Sequence, residues 1–182
     1  MDIRGLNLNK KNIIIIIAII VIALILLLTV LTYNDLVRLD QNVEAQWSEI
    51  KNQDQRKLDL IPQLITLNSQ YQLFESSTIE NVTALRSGYI NATTDEERAN
   101  ISVGMSSMFN DIKVTIEAYP DLYSIQALQD VLDEIAGTEN RIAYARSKYI
   151  DAVREYNTKV KSFPSNLIAG AFGFEEKEPL FS

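Results

Sequence analysis

A chain of 182 residues has room for one domain and a short additional segment, and this one contains neither cysteine nor histidine. Disulfides, thiolate nucleophiles, thiolate or imidazole zinc sites and every His- or Cys-based hydrolytic triad are thereby excluded. The formal net charge of −7 sets the chain against phosphate backbones, so no nucleic-acid partner is expected.

Residues 1–12 form a short polar stub, and residues 13–32 read IIIIIAIIVIALILLLTVLT without one charge. At 1.5 Å rise per residue, about 20 such residues cross a hydrocarbon core roughly 30 Å thick. A soluble core helix needs only one apolar face, whereas this segment is apolar all round. A cleaved signal peptide ends in a small-residue site, and here Tyr33, Asn34 and Asp35 follow instead. The segment is therefore expected to remain as a single transmembrane helix with the lipid bilayer as its partner. Arg4, Lys10 and Lys11 precede the span and only Arg38 closely follows it, which places the N-terminus in the cytoplasm and the remainder outside the cell membrane. Three N-x-[ST] sequons, at Asn81, Asn91 and Asn100, are compatible with that orientation but too easily met by chance to decide it.

From residue 34 to about 160 apolar residues recur every three or four positions, the period of a helix. The first segment, to about 58, places Val37, Val43, Trp47, Ile50 and Leu58 on one face and continues the membrane helix. At Pro62 either a second helix starts near residue 60 with Asp59 at its cap, or one helix kinks. The break is the expectation, because an unbroken helix to residue 90 would reach about 85 Å. The second segment carries Ile65, Tyr71, Phe74, Ile79, Val82 and Leu85 as far as a polar loop over 88–94.

Thr94-Asp-Glu-Glu97 is a capping box that opens the third helix, through Val103, Met108, Ile112, Val114 and Ile116. Tyr119-Pro120 stops it, and Ser124 can cap a fourth helix running to about 160. The expected fold is thus all-α: a transmembrane helix over 13–32, then an antiparallel up-and-down four-helix bundle over 33–163. Residues 164–182 are expected to form an irregular tail whose aromatics pack back on the bundle.

On the fourth helix Leu128, Leu132, Ile135, Ile142, Tyr149, Val153, Tyr156 and Val160 share one stripe, and Glu139 and Arg146 fall in the same register. Glu75 and Arg86 lie at or beside the apolar face of the second helix. Charges are rarely buried without partners, so these four residues are candidates for interhelical ion pairs that set register. No Glu-x-x-His motif of the kind that builds di-metal bundles is present, and no metal or other cofactor is expected.

The chain also resembles a known family. Tyr33-Asn-Asp-Leu-Val37, Ala45-Gln-Trp-Ser48 and Asp59-Leu-Ile-Pro-Gln-Leu-Ile65 are similar to the opening blocks of the LemA family, and Phe74-Glu75 with Ala84-Leu-Arg86 to the next. Its second half is matched by Glu117-Ala-Tyr-Pro-Asp-Leu122, Thr138-Glu-Asn-Arg-Ile-Ala-Tyr-Ala-Arg146 and Tyr156-Asn-Thr158, followed by Phe163-Pro164 and Phe172-Gly-Phe174. Gln63 and Ile150 stand where that family usually carries Asn. The resemblance implies a single membrane anchor with an antiparallel helical bundle, and no established enzyme activity. The expected function is accordingly a non-enzymatic interaction or scaffold module with a protein partner. The alternative is a small-ligand or ion sensor that uses the polar stripe.

Overall fold

The computed structural model describes residues 10–119, 121 and 125–181. Within them lie five helices: α1 (Lys10–Tyr71), α2 (Ser76–Asn91), α3 (Asp95–Glu117), α4 (Gln126–Lys161) and α5 (Ser165–Phe172). No strand occurs among the described residues, so the chain is all-α. Most of the stub, together with Pro120 and the Ser124 cap, falls outside them. The chain divides into two compact units, with boundaries inside α1 after Gln41 and inside α4 after Arg154.

The larger unit comprises residues 42–154 and 178–181. Leu58, Ile61 and Leu64 of α1, Val82 and Tyr89 of α2, Met105, Phe109, Ile112 and Ile116 of α3, and Leu128, Leu132 and Ile135 of α4 fill one core. Helix direction follows from cross-helix contacts. Asp54 bonds to Ser102 and Lys57 to Ser106, so α3 runs parallel to α1. Trp47 packs on Tyr149 and Lys57 pairs with Glu139, so α4 runs antiparallel. Tyr89, near the end of α2, reaches back to Asp54, which makes α2 antiparallel as well. The result is an up-and-down four-helix bundle of the expected kind.

Pro62 does not break the chain, contrary to expectation: α1 runs through it to Tyr71, and Asp59 caps nothing. A mid-helix proline costs about 3 kcal/mol through its missing N–H and its ring. Leu58, Leu60, Ile61, Leu64 and Leu67, on both sides of it, are all buried, and each such side chain contributes about 1.5–3 kcal/mol. Continuity keeps all five in the core, and the proline ring faces outward.

The break comes ten residues later and without glycine. Gln72 turns left-handed at φ 50°, Asn68 accepts the Gln72 N–H on its carbonyl, and its side chain accepts the Phe74 N–H at 2.7 Å. The loop expected over 88–94 is also shorter, since α2 continues to Asn91. On α3 the buried face is Ser102, Met105, Phe109, Ile112 and Ile116, whereas Val103 and Val114 point outward.

The smaller unit comprises residues 10–41 and 155–177. Residues 13–31 of α1 are exposed on all sides, and this is the one described helix long and apolar enough to cross a membrane. Beyond them Leu36 and Leu39 of α1, Tyr156 and Val160 of α4 and Ala169 of α5 are buried. Asp35 pairs with Lys159 at 2.7 Å, and Lys177 with Asp40 at 2.9 Å. The tail is not irregular throughout, because its first part forms α5, closed by Gly173 at φ 77° as a left-handed C-cap. Of the tail's aromatics only Phe181 packs on the bundle, against Trp47 and Tyr149; Phe172 and Phe174 meet Tyr33, which follows the span, with Phe172 still largely exposed.

The capping box forms, with the Glu97 N–H donating to the Thr94 hydroxyl at 3.1 Å and the Glu97 carboxylate accepting from the Thr93 N–H at 3.0 Å. Thr94→Ala is expected to lower stability by about 1 kcal/mol, read by chemical denaturation in detergent.

Candidate functional site

Deep in the larger unit the four helices meet around a network of charged and hydroxyl groups. The stripe of α1 that carries Val43, Trp47, Ile50, Ile61 and Leu64 contains two charged residues in the same three–four register, Asp54 and Lys57. The stripe of α4 contains Glu139 and Arg146 likewise. Asp54 is 0% exposed and Lys57 1% exposed. Helix periodicity therefore buries Asp54 and Lys57 outright, where isolated ions cost several kcal/mol apiece, and sets Glu139 and Arg146, both half-buried, beside them.

They are held by one another and by donors from the remaining helices. The Lys57 ammonium lies 2.8 Å from Glu139 Oε1 and 3.9 Å from Asp54 Oδ1, and it donates to the Ser106 hydroxyl at 2.8 Å. Ser106 passes its own proton to the Ser102 carbonyl. The Ser102 hydroxyl donates to Asp54 Oδ1 and accepts from Arg146, both at 2.7 Å, while the Tyr89 hydroxyl donates to Asp54 Oδ2 at 3.3 Å. The Ser102 and Ser106 hydroxyls each both give and receive a hydrogen bond, Tyr89 gives one, and each of the four helices supplies at least one member. The Arg146 guanidinium also lies 4.8 Å over the ring of Phe181, which packs on Trp47 and Tyr149.

Burial pushes the Asp54 carboxyl above the usual carboxylate range, with the Ser102 hydroxyl and the Lys57 charge pulling the other way. Burial also pushes the Lys57 ammonium below its usual range, against the attraction of Glu139 and Asp54. The Tyr89 hydroxyl is raised by burial and then by Asp54 beside it, so it stays a donor.

The four charged residues singled out in the sequence do not assemble into one set. Glu139 makes an interhelical ion pair, with Lys57 of α1. Arg146 enters the network through Ser102. Glu75 and Arg86 lie roughly 16 Å apart along α2, eleven residues at 1.5 Å each, too far to pair. Glu75 is exposed at the N-cap of α2 and lines a groove of about 640 Å³ with Leu73, Met108, Asp111 and Ile112. Arg86 is half-buried, and among the described residues its Nε has no acceptor.

Asp54 and Lys57 were missed by sequence reasoning although the signal was present. Positions 43, 47, 50, 54, 57, 61 and 64 keep a strict alternation of four and three, and only the polarity of two of them conceals the stripe. Ser102 and Ser106 leave no such trace, because a serine on a helix is ordinary on either face. Asn157, unexplained in the sequence, clamps the main chain of Lys177: its amide donates to the carbonyl at 2.8 Å and its oxygen accepts the N–H at 2.9 Å.

An apolar N-terminal segment continuous with the first helix of a four-helix bundle defines a class of all-α protein with one candidate membrane span. Residues 46–182 match the model of the LemA family, and the chain belongs to that family. It is similar to magnetosome proteins MamQ 1 and MamQ 2 of Paramagnetospirillum magneticum, each 21% identical over 175 residues, covering 82% of this chain and 64% of theirs. It is also similar to protein LemA of Metamycoplasma hominis, 23% identical over 137 residues, covering 75% of this chain and 63% of that one. The chain thus spans a little under two thirds of the length of these relatives.

Lys57→Met strands Glu139 and Asp54 and is expected to cost about 3–5 kcal/mol of unfolding free energy, part of it recovered when Glu139→Gln is added. The sign for Asp54 is equally definite. Its folded value lies above the ordinary 3.8, so its contribution is complete below pH 3.8 and is lost as pH rises through the folded value. The stability of the wild type relative to Asp54→Asn should therefore be greatest in acid and decline on neutralisation, in paired denaturation curves.

Proposed function

We propose that this protein is a membrane-tethered, non-enzymatic interaction module, held in the cell membrane by residues 13–32 and offering helix faces of its bundle to a protein partner. The observation that supports this most is where its charged interior groups go. Lys57, Glu139, Asp54 and Arg146 are engaged with one another and with Ser102, Ser106 and Tyr89 inside a packed core. Groups engaged in that way hold one another in place and are not free to turn over a substrate. Contact with the outside then falls to the helix surfaces, where Val103, Val114 and Tyr144 are among the exposed large apolar side chains.

The orientation follows the flanking cations, with the N-terminus inside and the bundle on the far side of the membrane. Because the chain has no cysteine, Ser147→Cys on the exposed face of α4 gives a single reactive thiol. In intact cells a membrane-impermeant maleimide is expected to label it fully, and labelling only after lysis would reverse the orientation. Photo-crosslinking from Val103 and Val114 in the same cells is expected to give a discrete protein adduct. A repeated blank from both positions counts against the interaction role.

A second reading, a small-ligand or ion sensor, is favoured by one feature, the groove beside Glu75 with the carboxylate of Asp111 and the apolar side chains of Leu73, Met108 and Ile112. Glu75→Gln separates the two: the interaction module keeps its crosslinked adduct, whereas a sensor loses its ligand-dependent shift in melting temperature.

A further inference from the structure

The second half of the smaller unit has a surface that does not suit water. From Ser162 to Phe174 the chain carries no charge, although Lys159 and Lys161 precede it and Glu175, Glu176 and Lys177 follow. An uncharged stretch of this length is too short to span a bilayer, and outside a protein core it is characteristic of segments that lie in the interface. The core is not where this one goes. Ser165 and Ala169 turn inward from α5, but Phe163 is 80% exposed, Leu167 63% and Phe172 56%. At about 100° per residue the side opposite Ser165 and Ala169 presents Leu167, Gly170 and Ala171.

What lies beside this surface is the end of the apolar span. Tyr33 follows Thr32 directly, and its ring is 5.0 Å from that of Phe172 and 5.7 Å from that of Phe174. Lys159 is pinned to Asp35 at 2.7 Å, so the last turn of α4 is level with the first residues beyond the span. Phe163 follows two residues after the end of α4 at Lys161. Tyr33, Phe172 and Phe174 make one ring cluster directly after the apolar span, the composition of an aromatic belt, and Lys159 and Lys161 are the cations nearest to it in sequence.

We propose that α5 is an interfacial helix that lies in the bilayer surface next to the span, turning Leu167 of its outward side, with Phe163 just ahead of it, among the lipid headgroups and upper acyl chains, while Phe172 keeps its contact with Tyr33. The smaller unit then contacts the membrane at two places, the span and α5. The inference rests on the span being in lipid, and its partner is the bilayer itself because α5 is continuous with that contact through Tyr33. Burial of an amphipathic face by about 5–10 Å is the usual depth for such helices.

The test uses the full chain in vesicles of phosphatidylcholine and phosphatidylglycerol, with one environment-sensitive nitrobenzoxadiazole label per protein. Leu24→Cys labels the span, Leu167→Cys labels α5 and Ser147→Cys labels the exposed face of the bundle. Vesicle lipids carry a doxyl quencher either high on the acyl chain or near its end, and iodide serves as the aqueous quencher. The label at 167 is expected to lose most of its emission to the shallow quencher, little to the deep one and little to iodide. The label at 24 is expected to answer to the deep quencher, and the label at 147 to iodide alone. Iodide quenching at 167 equal to that at 147 would overturn the proposal while leaving the anchor intact. Protection at 167 from iodide and from both lipid quenchers would overturn it too, by showing that protein covers α5. Silence of the label at 24 toward lipid quenchers removes the span and the proposal together. Since Leu167 is exposed, its replacement leaves the core untouched.

Discussion

Lys57 sits 1% exposed in the middle of a helical core, and a cation at that depth is stable only beside opposite charge. Glu139 on α4 and Asp54 one turn earlier on α1 supply it, and the Ser102–Ser106 pair on α3 joins the donors to the acceptors. The arrangement restricts the bundle more than apolar packing would. A leucine core tolerates a helix sliding by one turn, whereas a slide of α4 past α1 separates Lys57 from Glu139 and strands both. The network therefore sets register at a cost in raw stability, and the apolar layers on either side of it, Trp47 and Tyr149 toward one end and Leu58 to Leu64 toward the other, provide the stabilising burial.

In the smaller unit a different logic applies. Its part of α1 leaves the last turn of the span and meets α4 through Asp35–Lys159, while the Asn157 side-chain amide holds the chain at Lys177 by both main-chain hydrogen-bonding groups of that residue. That bidentate grip orders a segment with no regular structure of its own. Between these polar ties lies the uncharged run that contains α5, so charged and uncharged segments alternate along a short stretch of chain.

Membership of the LemA family rests on residues 46–182, a range that leaves out the apolar helix, so the anchor and the family are independent observations. Together they describe an all-α chain of the LemA family with one candidate membrane span. The family match also covers Asp54, Lys57, Ser102, Glu139 and Arg146, the charged and hydroxyl members of the network in the larger unit.

Much of this was legible in the residues themselves. Twenty uncharged positions in a row, all but two of them apolar, the three–four spacing of apolar residues, and the Thr94–Glu97 box depend on local geometry, and local geometry is what a sequence encodes directly. Where α1 ends was not legible. Pro62 looked like the stop, yet the core on both sides of it outweighed one lost hydrogen bond, and the turn fell at Asn68–Gln72 with no glycine to announce it. Which charges meet was not legible either, since Glu75 and Glu139 looked equivalent on their stripes but one faces a groove and the other faces Lys57. Spacing along one helix determines which side chains share a face. Only the packing of four helices against one another determines what that face meets, because partners across a core are set by distances that no single segment contains.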